Sequence, residues 1–340
     1  MGNMTVLAKR RIQTTIQVIV ALVLGTLLLA SFYSLTANAQ SATSTANTLK
    51  VSPVRTDIEV KPGTVKTVQT VVTNLTNNAI TVRPSANDFV SNDDSGTPSL
   101  ILDEGQFANS HSLKRFITPL ADVTIPANEA KTINVVITVP PDAKAGGYYG
   151  AIRFAPTTPD TGGQVNLSAS VASLILLTVP GDLIEQVELT GFDVTQNGKA
   201  NTLFTSSEGL VTVLRFVNNG NVQVGPFGKL SVLKGDKVVY EADFNNKTPR
   251  DVILPDSSRK WSIPLDKIDG FGQYKVQGTF TYGGKNKTVE VTKTFWVIPL
   301  YMMIIAGAVL LVLIATAIII ILAVLRRRRR GGGSRRNFRF

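Results

Sequence analysis

The sequence contains no cysteine and only one histidine, His111, among its 340 residues. Without cysteine the chain can form no disulfide, no zinc-thiolate site and no cysteine nucleophile. His111 has no metal-ligating neighbour at a suitable spacing, so we interpret it as a solvated loop residue. The sequence also lacks a His-Glu-x-x-His pattern, a Gly-x-Ser-x-Gly elbow and a phosphate-binding loop. These absences predict a protein that is not an enzyme and that uses no metal or cofactor.

The central part of the chain also lacks any excess of charge. The formal net charge is +11, but three basic residues precede position 12 and eight follow Leu325. Residues 40–295 therefore carry 24 Lys and Arg against 24 Asp and Glu. A nucleic-acid-binding domain needs a basic face, which this balance does not supply in bulk. We expect no nucleic-acid partner.

A long uncharged run near the C-terminus predicts a membrane anchor. Residues 294–325 contain no charged side chain, and five arginines follow at 326–330. As a helix, residues 300–325 would be about 39 Å long, which is enough to cross the hydrocarbon core of a bilayer. We predict a transmembrane helix at 296–325, with Trp296 and Tyr301 in the outer headgroup region. Because basic residues collect on the cytoplasmic side, the tail at 326–340 should lie inside the cell and the preceding domains outside.

The N-terminal segment predicts export. A basic region at 9–11 precedes an apolar stretch at 16–30, and Ala37-Asn38-Ala39 has the small-x-small pattern of a cleavage site. We interpret residues 1–39 as a signal peptide with a helical core. The Ser/Thr/Ala/Asn-rich stretch at 40–48 has no apolar periodicity and is expected to be a disordered leader. The absence of cysteine is compatible with an extracytoplasmic bacterial protein that is stable without cross-links.

The exported part is predicted to be all-β. Short β-branched runs alternate with Pro, Gly, Asn and Asp, and no helical period exceeds a few turns before the apolar run. Roughly 250 residues of this kind suit two tandem immunoglobulin-like β-sandwiches, which we place at 49–181 and 182–295. The Pro- and Gly-containing stretch at 157–164 is expected to be a hairpin loop inside the first sandwich.

An internal repeat supports the division into two sandwiches. Three landmarks occur twice in the same order: an Asn-rich strand end, a Pro turn, and a Gly-x-Tyr strand start. In the first half they are 74–78, Pro126 and Gly146-Gly147-Tyr148, and in the second half 218–220, Pro255 and Gly272-Gln273-Tyr274. The spacing is longer in the first half, which predicts an insertion near 87–112. Tyr148 and Tyr274 are expected to form tyrosine corners, in which the hydroxyl bonds backbone upstream of its strand.

Acidic pairs and exposed aromatic residues are the remaining candidates for a site. Asp93-Asp94 suits a turn better than a weak calcium site, and Asp103-Glu104 is the other adjacent acidic pair. Strand alternation places Tyr149 and Arg153 together on the solvent face of the strand at 146–154, beside glycines that let a ligand approach the backbone. We predict Tyr149 and Arg153 as binding residues.

Taken in order along the chain, these features resemble the WxL-interacting proteins, a family of Gram-positive cell-surface proteins. The residues that carry the resemblance are Val51-Ser52-Pro53, Pro62-Gly63, 74–78, 146–152 and Leu254-Pro255. The resemblance implies a peptidoglycan-associating first domain and a second domain turned towards a partner protein or a host surface. It implies no catalytic residues.

The sequence therefore predicts a non-enzymatic, membrane-anchored surface protein that binds a peptidoglycan-like envelope polymer or a surface protein partner. An alternative is an extracytoplasmic assembly factor that adds a strand to an exported protein. A second alternative is a glycan hydrolase with two carboxylates brought together only by folding.

Overall fold

The structure is a computed structural model that describes residues 48–157, 170–266 and 268–330, with side chains described as far as Ile321 in the C-terminal helix. It confirms the predicted fold class, because the strands form two tandem sandwiches that are followed by one apolar helix. The predicted signal peptide, the leader except for Thr48, and the tail from residue 331 onwards lie outside the described residues.

Within the described residues the elements have the following bounds. The first sandwich contains β1 (Leu49–Ser52), β2 (Arg55–Glu59), β3 (Val65–Asn74), β4 (Ile80–Ser91), β5 (Pro98–Leu100), a 3-10 turn (Lys114–Phe116), β6 (Val123–Ile125), β7 (Ala130–Thr138), β8 (Gly146–Pro156) and β9 (Val171–Val179). The second contains β10 (Val187–Gln196), β11 (Lys199–Ala200), β12 (Leu203–Phe204), β13 (Leu210–Asn218), β14 (Phe227–Lys234), β15 (Lys237–Phe244), β16 (Ser257–Pro264), β17 (Gly272–Tyr282) and β18 (Lys287–Val297). The helix α1 spans Leu300–Arg330.

The two sandwiches share one strand arrangement, which confirms the internal repeat. In the first, the sheet β1-β3-β7 faces the sheet β2-β9-β8-β4-β5, with β6 paired to β4. In the second, the sheet β11-β10-β13-β16 faces β12-β18-β17-β14-β15. In each sandwich the first strand is divided into an earlier and a later segment that lie in different sheets. The later segment pairs in parallel with the last strand of the sandwich: β2 pairs with β9, and β12 pairs with β18. The predicted loop at 157–164 lies outside the described residues except for Thr157, and the strands on either side of it, β8 and β9, pair antiparallel.

Strand alternation builds the core of the second sandwich as expected. Tyr274, Val276, Gly278 and Phe280 on β17 are buried, while Gln277 and Thr279 face outwards. The ring of Phe216 on β13 meets that of Phe280 edge-to-face, with centroids 5.4 Å apart. Such pairs add to the free energy gained by burying apolar area.

Both predicted tyrosine corners are present. The hydroxyl of Tyr148 donates to the carbonyl of Lys144 at 2.9 Å. The hydroxyl of Tyr274 donates to the carbonyls of Asp269 and Gly270. These bonds fix the loop that leads into β8 and into β17, which are equivalent strands of the two sandwiches.

A buried asparagine ends the equivalent strands β3 and β13. The side chains of Asn74 and Asn218 are fully buried, and each amide donates to a carbonyl four residues ahead and to the carbonyl of an isoleucine in a neighbouring segment, Ile125 or Ile253. Each side-chain oxygen accepts a backbone N–H two residues ahead. The Asn-rich landmark was expected to form surface turns, but its first residue is an internal cross-link. Because a buried amide must be hydrogen-bonded, this residue specifies the turn that follows it.

The sandwiches touch through the start of β8 and a turn that follows β13. The N–H of Gly147 donates to the carbonyl of Asn221 at 2.8 Å. A Cβ on Gly146, whose φ is +147°, would lie 2.8 Å from that same carbonyl oxygen. The glycines that were expected to admit a ligand therefore admit the backbone of the second sandwich.

Tyr149 extends this interface. Its hydroxyl donates to Oε1 of Gln223 at 2.8 Å, and Nε2 of Gln223 donates to the Thr178 hydroxyl at 3.1 Å. Only 3% of Tyr149 is exposed. Burial raises the pKa of the Tyr149 hydroxyl far above its ordinary value, so it remains a hydrogen-bond donor across the accessible pH range.

The insertion in the first sandwich supplies a second contact. The carboxylate of Asp94 accepts from Arg215 and from the Ser258 hydroxyl, each at 2.6 Å, and its carbonyl accepts from the N–H of Lys260 at 2.7 Å. The Asp94 loop thereby bonds to the edge strand β16 of the second sandwich. At Lys260 this edge is thereby covered, which blocks pairing with another chain at that position.

The helix α1 follows the second sandwich almost directly. Strand β18 ends at Val297, and the carbonyl of Pro299 accepts from Met302 in the first helical turn. The helix begins at Leu300 rather than at the expected position 296, because Trp296 and Val297 complete β18. Leu300–Ile321 has a mean hydropathy of 3.2 with none of it buried, and it is a candidate membrane span by length and composition.

We expect Asn218→Ala to destabilise the second sandwich by about 2–4 kcal/mol, because three buried hydrogen bonds lose their partner. The transition would be followed by Trp261 fluorescence during denaturant unfolding. Asn219→Ala is the matched control, since Asn219 is exposed and should change the free energy of unfolding by less than about 0.5 kcal/mol. Equal effects of the two substitutions would contradict the cross-link.

Acid is expected to release the Asp94 contact. The hydrogen bond from Ser258, together with the charge of Arg215, lowers the pKa of Asp94 below its ordinary 3.8. A carboxyl whose pKa is lowered by a contact stabilises that contact at any pH above its ordinary pKa. This stabilisation is lost as the pH falls through the lowered pKa. Energy transfer between dyes on the two sandwiches should therefore decrease below about pH 4.

The neighbouring aspartate provides the control for this experiment. Asp94→Asn should weaken the contact at neutral pH by up to about 1 kcal/mol, because the pair is partly exposed. Asp93→Asn should have no such effect, since the Asp93 carboxylate bonds only Ser95 of its own loop. A wild-type-like acid response in Asp94→Asn would refute the assignment.

Candidate functional site

A cleft of about 560 Å³ lies between the outer face of the first sandwich and the loop that leads into β16 of the second. We call it the interdomain cleft. Its apolar lining residues include Val54, Phe89, Leu174, Leu176, Val252 and Leu254, and its polar lining residues include Arg55, Thr97, Lys247, Asp251 and Arg259. This volume lies within the range of small-molecule and cofactor sites in proteins.

The floor of the cleft is formed by strands that are apolar on both faces. On β9, Leu174 and Leu176 face the cleft side, while Ile175 and Leu177 are buried in the core of the first sandwich. A continuous apolar run of this kind is typical of a strand that is covered on both sides. The run at 171–179 is thus the signal by which the cleft floor could have been found in the sequence.

The charged groups at the rim are paired with one another. Arg55 forms two bonds to the Asp57 carboxylate and donates to the carbonyl of Arg250 at 2.7 Å, which links the two sandwiches. Asp251 accepts from Lys247 at 2.8 Å and from Arg259 at 3.0 Å. Burial raises the pKa of Asp251, but the bond from Lys247 and the charge of Arg259 outweigh it and leave the pKa lowered. The rim is polar and hydrogen-bonding, with three basic side chains against the carboxylates of Asp57 and Asp251.

A second cavity of about 420 Å³ adjoins the cleft around Arg55 and Lys247. A third, of about 220 Å³, includes His111 and Tyr149. The Nδ1 atom of His111 lies 2.5 Å from the carbonyl oxygen of Gly147, and its ring packs against both Tyr148 and Tyr149. His111 therefore lies in a loop, as predicted, but it is half-buried and supports the backbone at the interface instead of being fully solvated.

The structure separates the two predicted binding residues by exposure. The expected exposure of Tyr149 is wrong, since Phe89, Ala151 and Leu176 pack with it on the covered outer face of the sheet. Arg153 lies on the same strand and is half-buried, with its Nε enclosed and without a hydrogen-bond partner. The binding roles of Tyr149 and Arg153 stay predictions, and Tyr149 can contribute only through the interface that it holds.

A buried carboxylate that the sequence analysis did not single out organises the insertion. Asp88 is fully buried, and its two oxygens accept from the N–H groups of Ala108 and Lys114 and from the Ser112 hydroxyl. Three donors compensate for the cost of burying this charge. An acidic residue inside a strand was the one sign in the sequence that Asp88 has a special role. Its hydrogen-bond partners could not be found in this way, because they lie 20 to 26 residues away in the sequence.

The acidic pairs have structural roles in the described residues. Asp93 accepts from the N–H and the hydroxyl of Ser95, which is the turn that the sequence favoured. The backbone carbonyls of Asp103 and Glu104 accept from the ammonium of Lys114. Across 48–157, 170–266 and 268–330, no three metal-ligating side chains are grouped.

Solved structures that the chain resembles include fimbrial chaperones, at low identity. The class 5 fimbriae chaperone CfaA has a TM-score of 0.38 and 15% identity, over 74% of this chain and 100% of that one. The Escherichia coli chaperone DraB has a TM-score of 0.34 and 18% identity, over 73% and 96%. A chain of the CsuC-CsuE chaperone-tip adhesion subunit complex of Acinetobacter baumannii has a TM-score of 0.34 and 14% identity, over 72% of this chain and 97% of that one. Likenesses of this strength carry no inference about function.

No curated protein matches the chain. A protein-family model does: residues 56–156 match the family described as WxL Interacting Protein, peptidoglycan binding domain. The match begins in β2 and ends at the last residue of β8, so it covers most of the first sandwich. This confirms the resemblance drawn from the sequence: over residues 56–156 the chain is similar to the peptidoglycan binding domain of the WxL-interacting proteins.

Proposed function

We propose that this protein is a non-enzymatic, membrane-anchored surface protein whose first sandwich binds a peptidoglycan-like envelope polymer. The match of residues 56–156 to a peptidoglycan binding domain carries the proposal. The balanced charge of residues 40–295 suits a ligand of sugars and short peptides, which presents hydroxyl, amide and methyl groups together with charges of both signs.

We place the polymer in the interdomain cleft. Its floor offers apolar contacts for N-acetyl and alanyl methyl groups, and its rim offers paired charges that can exchange partners with hydroxyl and amide groups. Both sandwiches line the cleft, so their interface would fix its width. Tyr149 would hold that interface, and Arg153 would be an accessory contact on the same outer face.

The anchor in this proposal is α1. Its apolar stretch Leu300–Ile321 would span the bilayer, and the arginines at 326–330 would hold the C-terminal end in the cytoplasm. The sandwiches would then stand outside the cell, within reach of the wall.

Filling the mouth of the cleft tests the proposed site. Val54 is 65% exposed and lines the cleft, so Val54→Trp should cover the mouth without disturbing either core. Co-sedimentation of the detergent-solubilised full chain with purified insoluble peptidoglycan should become at least about ten-fold weaker, which corresponds to about 1.4 kcal/mol.

The control is Val65→Trp, because Val65 is 63% exposed and does not line the cleft. It should sediment as the wild type does. If both variants co-sediment with peptidoglycan equally well, the binding site lies elsewhere on the first sandwich. If the wild type does not co-sediment, the proposed polymer binding is contradicted.

The absence of cysteine makes the orientation directly testable. A membrane-impermeant maleimide applied to intact cells should label Ser95→Cys, which is exposed on the first sandwich, and should leave Ser334→Cys in the tail unlabelled. Ser334→Cys should become labelled after permeabilisation. The reverse pattern would overturn the proposed topology.

A further inference from the structure

Three exposed apolar side chains meet at the end of the second sandwich that leads into α1. Leu203 is 44% exposed, Phe271 47% and Trp296 42%. Leu203 is paired with Trp296 between the parallel strands β12 and β18, and the rings of Phe271 and Trp296 lie 6.4 Å apart between centroids. We call these three residues the apolar tip.

The backbone around Phe271 directs this side chain outwards. Gly270 and Gly272 on either side of it have positive φ values of +74° and +152°. The residues just beyond them, Ile268 and Tyr274, are buried in the core of the sandwich. The turn is thus held by a buried residue on each side, and Phe271 between them is exposed. The core of the sandwich does not require a large apolar side chain at this position.

The repeat shows what the equivalent positions do in the first sandwich. Because Gly146 and Gly272 start equivalent strands, Phe271 corresponds to Ala145, and Trp296 corresponds by strand register to Thr178. The carbonyl of Ala145 accepts from Asn221 and the hydroxyl of Thr178 accepts from Gln223, both in the second sandwich. In the first sandwich these positions therefore contact the element that follows it in the chain, which is the second sandwich.

The element that follows the second sandwich is α1. Trp296 precedes Leu300 by four residues, which span at most about 14 Å when fully extended. If α1 crosses a bilayer, the apolar tip lies at the level of the headgroups, where aromatic side chains are enriched at membrane interfaces.

We propose that the apolar tip of the second sandwich inserts into the outer interfacial layer of the lipid bilayer. The inference rests on the proposed anchoring by α1 and adds a second lipid contact made by the folded domain. The first sandwich has small residues at these positions because it meets the second sandwich there, and the second has large apolar ones because it meets lipid. The contact restricts how far the ectodomain can tilt about the short connection to α1.

A single-tryptophan reporter tests this contact. The chain has two tryptophans, Trp261 and Trp296, so replacing both by Phe gives a dark background for Phe271→Trp. We would reconstitute the full chain into phosphatidylcholine vesicles with and without brominated acyl chains. The emission at position 271 should be blue-shifted and should fall about two-fold with the brominated lipid.

Leu75→Trp in the same background is the matched control. Leu75 is 47% exposed, as Phe271 is, but it follows Asn74 at the opposite end of the first sandwich from the interface. Its emission should be insensitive to bromination. A second reporter, Trp261→Phe alone, reads the native Trp296 and should show quenching even if the triple variant folds poorly.

Flotation of the vesicles separates this inference from the anchoring on which it rests. Protein that floats with the vesicles while both tip reporters match Leu75→Trp would overturn the tip contact and leave the anchor intact. Protein that fails to float would overturn both.

Discussion

A sheet that is apolar on both faces must be covered on both, and the arrangement of the two sandwiches depends on that requirement. The strands β8 and β9 bury one face in the core of the first sandwich and carry Tyr149, Ala151 and Leu176 on the other. The insertion and the second sandwich cover this second face, with Val252 and Leu254 packed against it. The interdomain cleft is the part of the face that the cover leaves open. The second sandwich therefore helps to form the cleft as well as to connect the first to the helix.

Much of this could be predicted from the sequence because the signals were local. Strand periodicity, the landmarks of the repeat and the uncharged run define the sandwiches and the helix. The exposure of Tyr149 was predicted wrongly for a non-local reason: alternation assigns a residue to a face but cannot tell whether a second domain covers that face. The same holds for Asp88 and Asp94, whose partners lie far away in the sequence. The apolar run of β9 was the one local sign that the outer face is not solvated.

The duplication also shows how one framework serves two surroundings. The buried asparagine, the tyrosine corner and the divided first strand are the same in both sandwiches, and they fix strands and turns without regard to what lies outside. The differences lie at the ends of the strands, where Gly147 admits a neighbouring backbone and Phe271 faces outwards. Evolution of such a pair can change the partner at a loop while leaving the core hydrogen bonds untouched.

The near absence of a spacer before α1 has a mechanical meaning. Any pull between the first sandwich and α1 enters the second sandwich at the start of β10 and leaves it at the end of β18. The start of β10 and the end of β18 lie at opposite ends of the sandwich. The load therefore acts along the strand axes. The ladder between β17 and β18, which runs from Gly272 to Tyr282, would have to shear as a whole rather than open one bond at a time. Geometry of this kind resists sudden force, as the proposed position between the cell wall and the lipid bilayer would require.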